Sequence, residues 1–299
     1  MSSPPNGPIL VTGGNGQLAT SLERLGQEKV IRVGRPEFDF DRPDTIAATI
    51  EKYRPSAVVN AAAWTAVDLA ETDIEGARRA NETGPAELAR ACAQADIPLI
   101  HVSTDYVYAG DKGAPYVESD PVSPETVYGR TKANGEQAVL AANPKTIILR
   151  TSWVYAPHGK NFVKTMLNAG AKNPQLKVVG DQCGNPTSAD DLAEAILNIL
   201  AKLEAGWQVE YAGIYHASGT GETTWHGLAV AALEEATKYG QAMPEVFAIR
   251  TQDWPTPAKR PQDSRLDCTK LEQTLGVKLP HWRESITRTV RQIFHAKAG

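Results

Sequence analysis

The feature that most constrains this chain is a glycine-rich turn set between an apolar run and a helix-like segment. Ile9-Leu10-Val11 reads as a short buried strand, and Thr12-Gly13-Gly14-Asn15-Gly16-Gln17-Leu18-Ala19 leads from it into a helix. The turn scans as G-x-x-G-x-x-A from Gly13 or as G-x-G-x-x-A from Gly14. Either way, glycines permit positive φ and close backbone approach, so a helix N-terminus can face a pyrophosphate. Ala19 stands where packing needs only a small side chain. Gly13, Gly16, Gln17 and Leu18 are thus the turn's candidate cofactor contacts; a tight turn without a ligand is the alternative.

Strand-like and helix-like segments alternate through the first half. Lys29 to Val33, Ala57 to Val59, Leu99 to Val102 and Thr146 to Leu149 read as strands. Between them, Thr45 to Tyr53 carries Ile46, Ile50 and Tyr53 at helical spacing, Ile74 to Ala95 is Ala-rich and helical, and Pro124 to Ala142 forms a further helix. This order predicts an α/β fold: a Rossmann-type doubly wound parallel sheet with helices on both faces. Right-handed crossovers put the C-terminal ends of the strands on one edge, where ligands bind. In the second half, Asp191 to Leu203 and Thr224 to Tyr239 read as helices and Ile214 to Ala217 as a late strand. Gln252 to Arg265 reads as a Pro-rich loop, and Trp282 to Phe294 carries an apolar helical stripe. The expected division is an NAD(P)-binding domain over 1–152, rejoined by about 188–218, and a smaller mixed substrate-binding domain from about 153–187 and 219–299.

Composition narrows the function. With 22% charged residues and a net charge of −4, the 299-residue chain has no broad basic footprint for nucleic acid or an anionic membrane. Any anionic ligand must be met by local charges. The three cysteines, Cys92, Cys183 and Cys268, are widely spaced, which argues against a disulfide framework or zinc site and fits a reducing, cytoplasmic setting. Met1 to Pro8 lacks the pattern of a signal peptide, and no apolar run approaches the ~18 residues of a membrane span. No histidine or cysteine cluster has metal-ligand spacing.

The chemistry gathers at predicted strand ends. Gly34 and Arg35 close the second strand, where an acidic residue would bind ribose hydroxyls; a guanidinium suits a 2′-phosphate instead. That favours NADPH, with NADH left open and a solvated arginine as the alternative reading. Asp39-Phe40 lies close enough to contact the adenine. Asn60-Ala61-Ala62-Ala63 ends the third strand with small residues that let a cofactor lie against the backbone, as tight packing alone would also require. Tyr128-Gly129-Arg130-Thr131-Lys132 is a Y-x-x-x-K on a predicted helix, so both side chains share one face. A nearby ammonium favours the phenolate, moving proton exchange from about 10 toward neutral pH. Thr104 ends the fourth strand, where its hydroxyl can reach the same reacting oxygen. Hydride to carbon and proton to oxygen is what carbonyl reduction needs.

The turn, Asn60 to Ala63, Ser103-Thr104-Asp105-Tyr106-Val107-Tyr108 and Tyr128 to Lys132 together resemble the extended short-chain dehydrogenases/reductases. Further stretches are similar to the dTDP-4-dehydrorhamnose reductase family: Asn60 to Asp68, Arg150-Thr151-Ser152-Trp153-Val154-Tyr155, Asn161 to Met166, Asp181 to Thr187 and Pro255 to Pro261. The resemblance covers nearly the whole chain after Pro8. It implies reduction of the C4 keto group of dTDP-4-dehydro-β-L-rhamnose to dTDP-L-rhamnose. It further implies Tyr128 as proton donor, with Lys132 as its partner and a contact of the nicotinamide ribose. Thr104 and Asp105 contact the sugar, Trp153 packs on it, and Ala62, Ala63 and Thr65 lie along the cofactor. For Trp153 a core position is the alternative. Lys259, Arg260 and Arg265 are candidates for the substrate pyrophosphate, against solvated surface charge.

Two departures matter. Dehydratases of the superfamily place Asp-Glu after the active-site threonine, whereas Asp105 here is followed by Tyr106. Some relatives dimerise through Mg²⁺ held by acids of the first helix and a later one; Asp190-Asp191 can serve, but Ser21 stands where the first acid is expected. The sequence therefore leaves Mg²⁺ unsupported and the chain a monomer or homodimer. Two other functions stay open. One is a related nucleotide-sugar enzyme such as a 4-epimerase; the other is a non-catalytic regulator like the regulatory subunit of methionine adenosyltransferase.

Overall fold

The computed structural model describes residues 7–298; most of the polar N-terminal stretch read above lies outside them. Six strands form one sheet: β1 (Ile9–Thr12), β2 (Val30–Val33), β3 (Ala57–Asn60), β4 (Leu99–Thr104), β5 (Thr146–Thr151) and β6 (Gly213–His216). All pair in parallel, in the order β6-β5-β4-β3-β1-β2. The order reverses between β1 and β3, and a crevice at such a reversal is where open α/β sheets bind ligands.

The strands' period of two sorts their side chains into two cores. Ile9, Val11, Val59 and Ile100 join Leu18 and Leu22 of α1 (Gln17–Gly26) on one face, with Leu192, Ile196 and Ile199 of the helix Ala189–Glu204. Leu10, Val58 and Leu99 point the other way, onto Ile46 and Ile50 of α2 (Asp44–Tyr53) and Leu88 and Cys92 of α3 (Gly84–Gln94). A third core joins the helices Phe162–Gly170, Trp225–Thr237 and Trp282–Ala298 through Leu167, Leu228, Ile286 and Val290. The expected doubly wound parallel sheet is what the chain forms. No helix among the described residues is long and apolar enough to cross a membrane.

Three local differences have physical causes. The helix expected over Ile74 to Ala95 is interrupted by a π turn at Arg79–Thr83. Pro85 has no N–H to offer the carbonyl of residue 81, so the α ladder cannot run through. The Asn81 side chain instead turns inward, accepting from Trp64 N (2.9 Å) and donating to Thr131 Oγ1 (3.1 Å). The helix expected from Pro124 begins three residues later, as α4 (Val127–Ala142), because Thr126 caps it by accepting from Gly129 N at 3.0 Å. The parallel pair Gln175–Val179 and Glu245–Ile249 was not anticipated, since its partners lie far apart in sequence.

One buried ion pair ties α4 to the sheet. Arg150 on β5 and Glu136 on α4 are each about 1% exposed, with Nε–Oε1 at 2.9 Å and Nη2–Oε2 at 2.6 Å. Ser103 Oγ donates to the same carboxylate at 2.5 Å, and Arg150 Nη1 donates to the Tyr108 hydroxyl at 2.6 Å. That hydroxyl lies 2.7 Å from His216 Nε2, whose other ring nitrogen is 3.0 Å from the Asp267 carbonyl. Breaking such a pair strands a charge away from water. Glu136→Gln is expected to lower unfolding free energy by about 3–5 kcal/mol, and pairing it with Arg150→Met to recover part of that loss. Urea unfolding of both variants checks this; a loss under about 1 kcal/mol for the single change contradicts it.

Candidate active site

The turn after β1 takes the backbone that its glycines allow: Gly13 has φ +111 and Gly14 φ +51. A Cβ on Gly13 would lie 2.9 Å from the Ala61 carbonyl carbon and oxygen, so the loops after β1 and β3 touch where the strand order reverses. Gly34, just past β2, is equally close: its Cβ would stand 2.6 Å from Gly14 Cα. No side chain caps the start of α1 and its first turn holds no acid, which leaves its N-terminal amides suited to an anion. Arg32 braces the turn, donating to Gly14 O (3.0 Å), Asn15 Oδ1 (2.9 Å) and Thr20 Oγ1 (3.2 Å). Asn60 holds the facing loop: its Oδ1 accepts from Thr12 Oγ1 at 2.6 Å and from Ala62 N at 3.2 Å.

A cleft of ≈ 1170 Å³ runs along this edge of the sheet. Gly13, Gly16, Gln17, Leu18, Arg35, Asp39 and Phe40 line it beside β1 and β2, followed by Ala62, Ala63 and Thr65 after β3. Thr104, Asp105, Tyr128, Lys132 and Trp153 line it beside β4 and β5. Lining residues that the sequence reading missed include Arg32, Asp41, Arg79, Thr151 and Trp225. Asp41 is held between Arg35 and Arg79, while Arg35 also donates to Asp39 at 2.8 Å. No local pattern marks Arg79 or Trp225; tertiary packing alone brings them here.

At the β4–β5 end the side chains are dry. Burial pushes the Tyr128 hydroxyl up to about 12, against a hydrogen bond with Thr104 that acts to lower it. The sequence reading expected the reverse, from a neighbouring ammonium. The ammonium instead donates to the Val102 carbonyl, Nζ–O 2.7 Å, and burial lowers Lys132 to about 8 against the opposing pull of Glu136. A neutral tyrosine is the right form for a proton donor. Thr104 Oγ1 accepts from Tyr106 N at 3.2 Å and donates to Asp105 Oδ1 at 3.0 Å. Burial raises Asp105 to about 6, against hydrogen bonds from Ser264 and Thr104.

Trp153 stands between the cleft and the core. It lines the cleft, yet its ring stacks on Trp225 with centroids 3.7 Å apart and packs against the third core. Its φ is +49, and a Cβ on Gly184 would strike its indole at 2.6 Å. The candidate pyrophosphate cations are all paired with acids of the chain. Lys259 and Arg260 are not among the cleft-lining residues: Lys259 pairs with Glu125 at 2.6 Å, and Arg260 grips Asp68 through both terminal nitrogens. Arg265 is likewise held, by Asp263 at 2.7 Å and Glu222 at 2.8 Å.

The acids considered for Mg²⁺ do not fit a metal site. Asp190 accepts from Ser21 (2.6 Å) and pairs with Arg24 (2.6 Å), while Asp191 is bound by Arg288 and Ser285. Cations of the chain itself already neutralise both carboxylates. Among the described residues no three of His, Cys, Asp and Glu converge as a metal would require.

The raised Asp105 has a consequence for stability. Between pH 3.8 and about 6 the folded chain holds a proton there that the unfolded chain has lost, so this group makes stability fall as pH rises through that window. Asp105→Asn removes the effect. The variant is expected to match the parent near pH 3.5 and to exceed it above pH 7 by up to about 3 kcal/mol. Thermal unfolding at both pH values tests this; an equal offset at both contradicts it.

The comparisons with known proteins agree with this geometry. Residues 7–294 match the family model of the RmlD substrate binding domain. A dTDP-4-dehydrorhamnose reductase of Sinorhizobium fredii is 43% identical over 284 residues, covering 94% of this chain and 96% of that protein. The crystal structure of a dTDP-4-dehydrorhamnose reductase from Clostridium acetobutylicum superposes with a TM-score of 0.88 at 36% identity, covering 95% of this chain and 98% of the other. That of the Bacillus anthracis reductase in complex with NADP gives 0.86 at 30% identity, covering 96% and 99%. With the shared fold, the strand-end cleft and similarity along almost its full length, this chain belongs to the dTDP-4-dehydrorhamnose reductase family of oxidoreductases.

Proposed function

We propose that the chain reduces the C4 keto group of dTDP-4-dehydro-β-L-rhamnose, giving dTDP-L-rhamnose, with NADPH as reductant. The observation that carries this reading is the convergence of Tyr128, Lys132 and Thr104 at one end of a cleft whose other end holds the glycine turn and Arg35. The glycine cradle, in which a Cβ has no room, and the uncapped start of α1 suit a dinucleotide pyrophosphate. A relative's structure in complex with NADP supports the same cofactor. When bound, that cofactor supplies the hydride for C4.

The chain's own residues do the rest. Tyr128, held neutral by burial and linked to Thr104, delivers its proton to the C4 oxygen as the charge develops. Thr104 donates to the same oxygen, turning its hydroxyl away from Asp105. Lys132, pinned to Val102, keeps its ammonium at the same end of the cleft, where it offsets the negative charge left after transfer. The indole of Trp153, fixed by Trp225, offers a flat apolar wall to the deoxysugar, with Val154, Gly159 and Lys160 lining the cleft beside it. Arg260 and Lys259 are paired with Asp68 and Glu125, and a phosphate at either cation exchanges for that carboxylate. A spectrophotometric assay with the 4-keto sugar nucleotide and each reduced cofactor tests the reading; absence of sugar-dependent NADPH oxidation overturns it.

Two variants refine it. Tyr128→Phe keeps the ring and removes the proton, so kcat is expected to fall about 10²-fold or more while NADPH still binds; near-normal turnover would remove Tyr128 from the role. Arg35 is 68% exposed and reaches the cleft beside Asp39 and Asp41. Arg35→Ala is expected to raise KM for NADPH about tenfold, the scale of one charge-assisted bond, and to leave NADH nearly unchanged. Equal effects on both cofactors would show that it does not read the 2′-phosphate.

A further inference from the structure

Thr151 is the last residue of β5 and the register partner of Thr104, so the two threonines end neighbouring strands side by side. It is 6% exposed, lines the cleft, and its hydroxyl is buried without any hydrogen-bond partner. Three polar side chains that line the cleft with it are bonded elsewhere. Thr104 is bonded to Asp105 and Tyr106, Ser152 donates to the Asn185 carbonyl at 2.6 Å, and Lys132 is bonded to Val102. A buried hydroxyl left unpaired costs stability, so its persistence calls for an explanation in ligand binding. Because threonine branches at Cβ, one χ1 step exchanges hydroxyl and methyl, and no intramolecular bond is lost in bringing the hydroxyl to the cleft wall.

The position of Thr151 identifies the ligand group. A dinucleotide whose pyrophosphate lies on the turn after β1 passes β3 and reaches the ends of β4 and β5 last. Thr151 lies there, at the strand end and more buried than Trp153. We propose that the Thr151 hydroxyl binds the carboxamide of the nicotinamide ring and fixes the orientation of that ring beside Tyr128. This rests on the NADPH reading above. A carboxamide presents both a donor and an acceptor, so the hydroxyl is satisfied whichever way the amide turns. Thr151 is thereby a positioning residue: it sets where the hydride-bearing carbon sits, while the proton comes from elsewhere.

Calorimetric titration without sugar nucleotide tests this, using NADPH and 2′-phospho-ADP-ribose, which keeps the phosphate-bearing arm and lacks the nicotinamide. Thr151→Val, close in shape, is expected to weaken NADPH about five- to tenfold, the scale of one neutral hydrogen bond. It should leave 2′-phospho-ADP-ribose within about twofold and Tm no lower than the parent's, since an unpaired hydroxyl has been removed. Thr151→Ser keeps the hydroxyl and should retain the parent's NADPH affinity within about threefold. Unchanged NADPH affinity in Thr151→Val, or equal weakening of both ligands, overturns the proposal. If the parent chain binds neither ligand, the cofactor reading itself has failed and this proposal falls with it.

Discussion

The geometry of the reacting end rests on a charge that water does not reach. Arg150 and Glu136 meet behind the sheet edge, and the same carboxylate takes the Ser103 hydroxyl, one residue before Thr104. Glu136 also lies one helical turn after Lys132, as Lys132 lies one turn after Tyr128, so all three share a stripe of α4. The pair therefore fixes how α4 sits against β4 and β5. An ion pair of this kind adds little net stability. Its directional bonds admit one relative placement of helix and strands, which apolar contacts alone would leave looser.

From that fixed end the rest of the site follows by topology. Parallel strands deliver the glycine turn, the alanine loop, Thr104 and Thr151 to one edge, and the reversal of strand order opens the crevice between the first two. Close backbone approach at Gly13 and Gly34 makes the turn a shaped surface, braced from below by Arg32. The irregular half adds a wall at Trp153 and Trp225 and a clasp where Arg260 meets Asp68.

What was legible in the sequence is what short-range pattern encodes. Strands such as Ile9–Thr12 and helices such as Asp44–Tyr53 show in apolar period, and the shared helix face of Tyr128 and Lys132 shows in a four-residue spacing. What was not legible depends on partners distant in sequence. Arg260 looked like a free cation because Asp68 is 192 residues away. Arg150 lay just past the strand read over Thr146 to Leu149, and nothing near it announces Glu136 as its counter-charge. The expected acid shift of Tyr128 failed for a related reason: spacing put the ammonium nearby, but burial and the Val102 carbonyl decide what that charge does. The break at Arg79–Thr83 was missed in a helix read as continuous from Ile74 to Ala95, and the inward turn of Asn81 needed Trp64 and Thr131 in place to be seen.

Gln17 belongs to the glycine turn by sequence but to the opposite wall by contact. Its amide oxygen accepts from Asn161 Nδ2 at 2.9 Å, and its backbone carbonyl lies 2.9 Å from His158 Nε2. Asn161 in turn caps the helix Phe162–Gly170. One residue thus ties the loop before the helix Phe162–Gly170 to the glycine turn, and the chain is less modular than its two kinds of architecture suggest. A chimera that exchanged the sugar-side segments between relatives would cut this seam unless position 17 travelled with residues 156–161.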